Sequence, residues 1–298
     1  MTTTAPPLPA TLSETGKATS PGVYDGMPAE IYHADPVPGG SLSSTGARRL
    51  LPPSCPALLK WDLDHPQAPR KEFDLGTAAH RLVLGDGPEL VRIDADEWRS
   101  NAVKAEVAAA RAAGAVPLKP AEYEQVHAMA AAIRRHPLAA ALFAEGSGKP
   151  EQSLFWRDER TGVNCRARLD WLGEPTGGRL ILPDFKSARS ASRKAFERSV
   201  LDYRYDQQAD WYSKGVRALG LAEDVAFVFV VQEKTPPYLI NVIELSSMWL
   251  LMAEDRNRRA LETYQRCTET GVWPGYSDDV EMVTPPSWLE TEHEREYR

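Results

Sequence analysis

The stretch RLILPDFK, residues 179–186, decides the fold of this chain. Its apolar run Leu180–Leu182 is typical of a buried central strand, and two charged residues, Asp184 and Lys186, follow at the end of that run. Because alternate side chains of a strand point to the same face, these two charges face the same way. Burying a charge is costly unless the charge is paired or binds a metal, so the stretch predicts a polar site at the end of a core strand.

A second acid ends the strand that precedes this one along the chain. Residues 163–171 alternate apolar and polar side chains, and Asp170 stands on the polar face with Arg166 and Arg168. A hairpin with strand 179–186 would bring Asp170 and Asp184 within reach of one divalent ion. Asp170 fits either a metal ligand or an ion pair with one of the two arginines, which could themselves contact phosphates.

The elements around this pair change from helical to mixed near residue 150. Helices are predicted by propensity and periodicity within 41–51 and at 57–63, 73–84, 102–114, 120–134, 137–143, 192–202, 205–219 and 247–270. Strands are predicted at 153–156, 163–171, 179–186, 224–232 and 238–244. The pattern predicts an α/β (α+β) fold, with a central mixed β-sheet flanked by helices and a helical N-terminal part.

Length and composition bound the domain organisation. The 298 residues and 42% hydrophobic content suffice for one large or two small domains. No second boundary is evident, so we expect a single domain over residues 21–290 with its core at about 72–245. Residues 1–20, rich in Thr, Pro and Ala, predict a disordered leader, residues 22–40 a loop, and the acidic residues 291–298 a frayed tail.

Cysteine usage and charge exclude several classes of protein. Three widely spaced cysteines argue against a disulfide framework and against a four-cysteine iron–sulfur cluster, so we expect a cytoplasmic protein. No apolar run reaches the roughly 18 residues that would predict a membrane span. The net charge of −7 is unusual for a nucleic-acid-binding protein, but binding depends on where the cations lie rather than on their sum.

Four more polar residues extend the candidate site. His80, among small and apolar neighbours, fits either a core histidine or a metal ligand. Glu151 could add a carboxylate or begin a surface strand. Gln208 and Tyr212 share one helical face at i and i+4, where they could hold a scissile phosphate or belong to an ordinary helix surface.

Two acids and a lysine in this arrangement suit the hydrolysis of a phosphodiester. Carboxylates bind a divalent metal that activates water, and a lysine positions that water or stabilises the charge that develops on the phosphate. The residues therefore predict a nuclease.

The order of these motifs resembles the PD-(D/E)xK nuclease superfamily in its RecB-like branch. The matching residues are, in chain order, His80, Glu151, Asp170, Asp184-Phe185-Lys186 and Gln208-x-x-x-Tyr212. The "PD" acid of the superfamily matches Asp170 and not the dipeptide Pro183-Asp184. Two further stretches, SLSSTGARRLLPPSCP from residue 41 and WPGY from residue 273, resemble RecE-type exonucleases of phages and prophages (exodeoxyribonuclease VIII-like) over roughly residues 21–290.

This resemblance implies a restriction-endonuclease-like core and a metal-dependent DNA exonuclease. The implied Mg²⁺ ligands, for which Mn²⁺ would also serve as the ion, are His80, Asp170, Asp184 and the backbone carbonyl of Phe185, with Glu151 as a further candidate. The implied catalytic residues are Asp170, Asp184 and Lys186. The implied substrate-positioning residues are Gln208 and Tyr212, with Arg166 and Arg168 as further candidates.

The resemblance also implies a substrate and partners. Linear double-stranded DNA would be degraded from its ends, 5′→3′, leaving 3′ single strands for phage-type recombination. The protein would form a homo-oligomeric ring around DNA and act with a single-strand annealing protein of the RecT type. A phage-encoded chain would work in the cytoplasm of the bacterial host, and no membrane would be involved. The alternatives are an endonuclease on the same fold and a non-catalytic DNA-binding module.

Overall fold

The structure, a computed structural model, describes residues 10–65, 75–174 and 178–298, with the backbone alone for residues 75–77. The strands within these ranges are β1 Gly22–Tyr24, β2 Leu42–Ser43, β3 Leu90–Arg92, β4 Val116–Leu118, β5 Gly148–Arg157, β6 Asn164–Gly173, β7 Arg179–Ala188, β8 Asp224–Glu233 and β9 Ile240–Glu244. The helices are α1 Ala29–His33, α2 Ser44–Arg49, α3 Pro56–Asp64, α4 Leu75–Leu84, α5 Asn101–Ala112, α6 Pro120–Arg135, α7 Pro137–Leu142, α8 Arg193–Tyr203, α9 Tyr205–Ala218, α10 Ser247–Thr270 and α11 Ser287–Tyr297.

The strands form two larger sheets and one small one, which confirms the predicted mixed α/β architecture. The first has the order β1-β5-β6-β2, the second β7-β8-β9, and β3 pairs with β4. Strands β5 and β6 are antiparallel, and the pairs Pro150–Trp171 and Gln152–Leu169 place Glu151 opposite Asp170. Because residues directly opposite in an antiparallel pair share a face, both carboxylates point to the same side.

The two larger sheets meet along a line that we call the seam, where residues 170–173 of β6 lie alongside residues 181–185 of β7. The sequence predicts a hairpin here, but β7 forms its ladder with β8, in parallel. The Phe185 N–H instead donates to the Asp170 carboxylate at 2.8 Å. A Cβ added at Gly173 would lie 2.4 Å from the Ile181 carbonyl oxygen, so only glycine permits this close approach.

Helices hold the site from two sides. On one side α4 packs on β7 and β8, with Ala79 in a common apolar cluster with Phe185 and Val230. On the other, α9 lies over β5 and β6, where a Cβ at Gly215 would meet the Trp156 ring at 2.7–3.0 Å. The two helices therefore fix His80 above one end of the sheet and Gln208 beside it.

Near the ends of the chain, the described residues show contacts and elements that the composition does not predict. Residues 10–20 of the predicted leader pack against Tyr24 and Phe155, with Ala18 buried and the Ala10 N–H bonded to the Val23 carbonyl. The predicted loop at 22–40 contains β1 and α1. Both differences arise because a few apolar residues of these segments pack at the edge of β5. Local composition does not predict such long-range contacts.

Residues Ser287–Tyr297 at the C-terminal end form a helix, and the fraying of residues 291–298 stays a prediction. Helix α11 begins after Pro286, a residue that favours helix starts, and carries Glu290 in its first turn and Arg295 in its last, as the helix dipole favours. Its side chains are all exposed. Strands β3 and β4 were not predicted, and residues 73 and 74 of the predicted helix 73–84 lie outside the described residues. No helix in the described ranges combines the length and the apolar character that crossing a bilayer requires.

Candidate active site

His80 bridges two carboxylates at the end of the first sheet. Its Nε2 lies 3.1 Å from Asp170 Oδ2 and its Nδ1 lies 3.5 Å from Glu151 Oε1. Glu151 also forms an ion pair with Arg168, which lies two residues before Asp170 on the same face of β6. Glu151 has a left-handed backbone, with φ 51°. Non-glycine residues in this conformation are strained, and such strain clusters at functional sites.

Asp184 and Lys186 complete the group from the far side of the seam. Lys186 Nζ lies 2.5 Å from Asp184 Oδ2 as an ion pair, which confirms that the two side chains share a face. Gln208 Nε2 donates to Asp184 Oδ1 at 2.7 Å. Apart from the ion pair, the buried Oδ2 has no hydrogen-bond partner among the described residues. A buried acid is costly unless it is paired with a cation, and here the Lys186 ammonium is that partner.

Burial raises the pKa of two of the three acids, and a nearby cation lowers that of the third. Burial raises the pKa of Asp184 to about 6, although Lys186 opposes it, and it also raises the pKa of Glu151, against Arg168 and His80. Burial acts on Asp170 in the same sense, but the His80 charge, their hydrogen bond and Lys186 outweigh it and hold the pKa of Asp170 below its usual value. Neighbouring acids with separated pKa values are typical of sites that hold cations or move protons.

The two cations of the site stay charged at neutral pH. Burial alone would lower the pKa of His80, but Asp170 and Glu151 raise it to about 9. Burial would also lower the pKa of Lys186, yet Asp184 and Asp170 raise it above its ordinary value. Lys186 is therefore an ammonium ion, suited to stabilise negative charge rather than to accept a proton.

The donor set fits a divalent metal ion. In the described part of the chain, no three His, Cys, Asp or Glu side chains form a ready-made metal cage. Carboxylate oxygens with one imidazole nevertheless suit Mg²⁺ or Mn²⁺, and apart from its ion pair with Lys186 the buried Asp184 Oδ2 has no partner among the described residues. The side chains that would hold an ion are Asp170, Asp184 and, once it loses its proton, His80. The Phe185 carbonyl stays a predicted ligand.

The two arginines proposed to position substrate are engaged inside the protein. Arg166 lies 2.5 Å from Asp35 and donates to the Ser41 carbonyl at 2.6 Å. Arg168 pairs with Glu151. Their side chains are only 11% and 13% exposed. The contacts fasten the N-terminal segment and the active-site acids to β6, and a direct role toward substrate stays a prediction.

The predicted Q-x-x-x-Y motif lies on α9, where Gln208 holds the Asp184 carboxylate, and a role of this motif toward substrate stays a prediction. Tyr212 packs its ring on Phe227 at 5.8 Å, and its hydroxyl lies within hydrogen-bonding reach of Gln208. Sequence reasoning missed Tyr205, whose ring lies 5.1 Å from Lys186 Nζ. Its position three residues before Gln208 on the same helical face was the available signal.

The paired acids and the lysine at the seam between two mixed sheets define a PD-(D/E)xK-like protein. Residues 55–286 match the family model described as the PDDEXK-like domain of unknown function DUF3799. The chain belongs to this family. No sequence among curated proteins matches the chain.

Two solved structures are similar to this chain, and the first of them supports the assignment of the fold. The crystal structure of a candidate exonuclease from Eubacterium rectale is 13% identical in sequence to this chain and superimposes with a TM-score of 0.54. The match covers 90% of this chain and 96% of the exonuclease chain. The structure of SSO0001, also 13% identical, covers 74% of this chain and 75% of its own at a TM-score of 0.33, which is too low to carry an argument. The fold is thus shared with the first, and family and site together support nuclease activity.

Proposed function

We propose that this protein is a Mg²⁺-dependent exodeoxyribonuclease that degrades linear double-stranded DNA, 5′→3′, and leaves 3′ single strands for annealing. The observation that carries the proposal is the cluster at the seam, where the ion pair of Asp184 and Lys186 faces the pair of Asp170 and His80. A degenerate, non-catalytic member of the fold would have no reason to keep two acids and a lysine together in a buried place.

The chemistry follows from what each side chain can do. A divalent ion, when bound by the carboxylates, would supply Lewis acidity and an activated water. Lys186, held as a cation by Asp184 and Asp170, offsets the negative charge that grows on the phosphate oxygens in the transition state. Gln208 fixes the orientation of Asp184. Arg168 fixes Glu151, which in turn holds the second nitrogen of His80.

The polarity and the biological setting rest on the motif resemblance to RecE-type exonucleases. A homo-oligomeric ring and a single-strand annealing partner of the RecT type belong to the same proposal. Processive degradation from an end agrees with the modest overall charge of the chain, since a protein of net charge −7 does not attract DNA over its whole surface.

One assay separates the proposed activity from its alternatives. Linear and covalently closed plasmid DNA are incubated with the protein, with Mg²⁺ and with EDTA. An exonuclease consumes only the linear DNA, and only with Mg²⁺. Cleavage of the closed circle identifies an endonuclease, and intact DNA in every lane identifies a binding module. Lys186→Met, which removes only the ammonium, is the control and should abolish cleavage; a fully active variant would refute the assignment.

A further inference from the structure

A groove of about 560 Å³ opens beside the candidate active site. It begins at Lys186 in β7 and reaches α8, the start of α9 and the residues that follow β8. Its described lining includes three cations, Lys186, Arg189 and Lys234, and no carboxylate. Lys186 is paired with Asp184, whereas Arg189 is exposed, and an exposed cation in a groove beside the candidate site marks a place for an anion.

One wall of this groove carries a stack of aromatic rings. Tyr205 lies nearly parallel to Phe196, with ring centroids 5.9 Å apart and planes at 20°. Tyr203 continues the series, 5.5 Å from Tyr205 with planes at 31°. Phe196 is buried, whereas Tyr203 is 57% exposed. The stack therefore begins in the core and ends with a ring that solvent can reach.

A break between two helices produces this arrangement. Residues two apart in a continuous α-helix do not face each other, so Tyr203 and Tyr205 could not stack within one helix. Arg204 between them adopts a left-handed backbone, with φ 54°, and separates α8 from α9. Arg48 donates to the Tyr203 carbonyl and so fastens the end of α8. A non-glycine residue held in this conformation costs stability, and such costs are typical of functional sites.

We propose that this groove binds an unpaired nucleotide of the nucleic-acid strand whose neighbouring phosphate lies at Lys186. The base continues the aromatic stack on Tyr203, and its phosphate meets Arg189. Inside a duplex both faces of a base are covered, and a terminal base pair exposes only its outer face, whereas an unpaired nucleotide is free to enter a groove and stack there. Base–aromatic stacking beside a cationic groove is the usual mode of sequence-independent single-strand binding. The inference rests on the proposed function for the choice of nucleic acid as the ligand.

The test measures binding without turnover. Fluorescein-labelled duplexes with blunt ends or with a three-nucleotide overhang, and the corresponding single strand, are titrated with protein in EDTA at low salt, and anisotropy is recorded. Tyr203→Ala should weaken binding of the overhang and of the single strand about tenfold, while Tyr203→Phe keeps the ring and should bind like wild type. Tyr297→Ala, an exposed tyrosine on α11, is the matched control and should bind like wild type.

A second measurement reports the stack itself. 2-Aminopurine at the terminal unpaired position should be quenched on binding to wild type and to Tyr203→Phe, and less quenched on binding to Tyr203→Ala. Arg189→Gln should reduce the dependence of affinity on salt by about one phosphate contact. Wild-type affinity of Tyr203→Ala for the overhang, unchanged quenching, or an equal loss for blunt and overhang duplexes would overturn the inference.

The two proposals can fail separately. If wild type does not cleave DNA with Mg²⁺, the proposed function fails, but binding in EDTA still shows whether unpaired nucleotides occupy the groove. If cleavage depends on Lys186 while Tyr203→Ala binds every ligand like wild type, the groove assignment alone is wrong.

Discussion

Replacing Asp184 with asparagine is expected to stabilise the metal-free protein at neutral pH. Burial is the largest influence on this carboxyl, and it raises the pKa from 3.8 to about 6 against the pull of Lys186. Each unit of difference corresponds to about 1.36 kcal/mol, so keeping Asp184 ionised costs the folded state about 3 kcal/mol above pH 6. Asparagine resembles the protonated acid and can still accept the Gln208 hydrogen bond.

The pH dependence follows from which state holds the proton. Because the folded-state pKa is raised, the folded protein keeps a proton between pH 3.8 and about 6 that the unfolded chain has lost. Stability therefore falls as the pH rises through this window. The advantage of Asp184→Asn should be absent below pH 3.8, grow through the window, and level off above about pH 6.

Urea unfolding in EDTA across this pH range, followed by tryptophan fluorescence, measures the difference in free energy of unfolding. Asp224→Asn is the control, since this aspartate is 66% exposed at the start of β8 and its loss should change stability by under about 0.5 kcal/mol. Adding Mg²⁺ should stabilise wild type more than Asp184→Asn, because the variant lacks a ligand. The reasoning fails if Asp184→Asn is less stable than wild type in EDTA at neutral pH, or if the difference does not vary with pH.

Three further predictions test the neighbouring structure. Because the pKa of His80 is raised to about 9, its imidazole must lose a proton before it can bind a metal. The Mn²⁺ affinity, measured by calorimetry, should therefore increase up to about tenfold per pH unit between pH 7 and 9. The affinity of His80→Gln should show no such dependence on pH. Gln208→Ala should lower turnover, whereas Gln207→Ala, whose side chain is buried against Asn257, should cost about 1–3 kcal/mol of stability and leave turnover unchanged; the reverse pattern would contradict the assigned roles. Gly215→Ala should lower the free energy of unfolding by about 1–3 kcal/mol, because the added Cβ would clash with the Trp156 ring. Adding Trp156→Leu to this variant should recover part of the loss. A Gly215→Ala protein as stable as wild type would show that α9 can move away from the sheet.

Much of the central sheet could be predicted from the sequence because its signals are local. The alternation of residues 163–171 places its apolar side chains in the core and its polar ones at the site, and the structure confirms it. The ion pair of Asp184 and Lys186 follows from the same period of two. The resemblance to PD-(D/E)xK proteins added the link between distant motifs that periodicity alone does not supply.

What could not be predicted depends on pairing across the chain. Short strands such as β1 carry too few residues for a periodic signal, and their existence depends on the edge that β5 offers. The place of Glu151 beside Asp170 depends on the register of β5 and β6, and its partners Arg168 and His80 follow from that place. The task of Gln208 as a support for Asp184 depends on how closely α9 approaches the sheet, and Gly215 controls that distance without any local sequence signal.

The seam has a consequence for how the protein opens. Asp170 and Asp184 belong to different hydrogen-bonded sheets, joined at this place by a side-chain contact to the Phe185 N–H rather than by a backbone ladder. Each sheet is therefore expected to behave as a separate cooperative unit in amide hydrogen exchange. An ion bound by both acids would link the two sheets. Metal binding should then slow amide exchange along β6 and β7 together. The same ion would therefore both complete the active site and stabilise the contact between the two sheets.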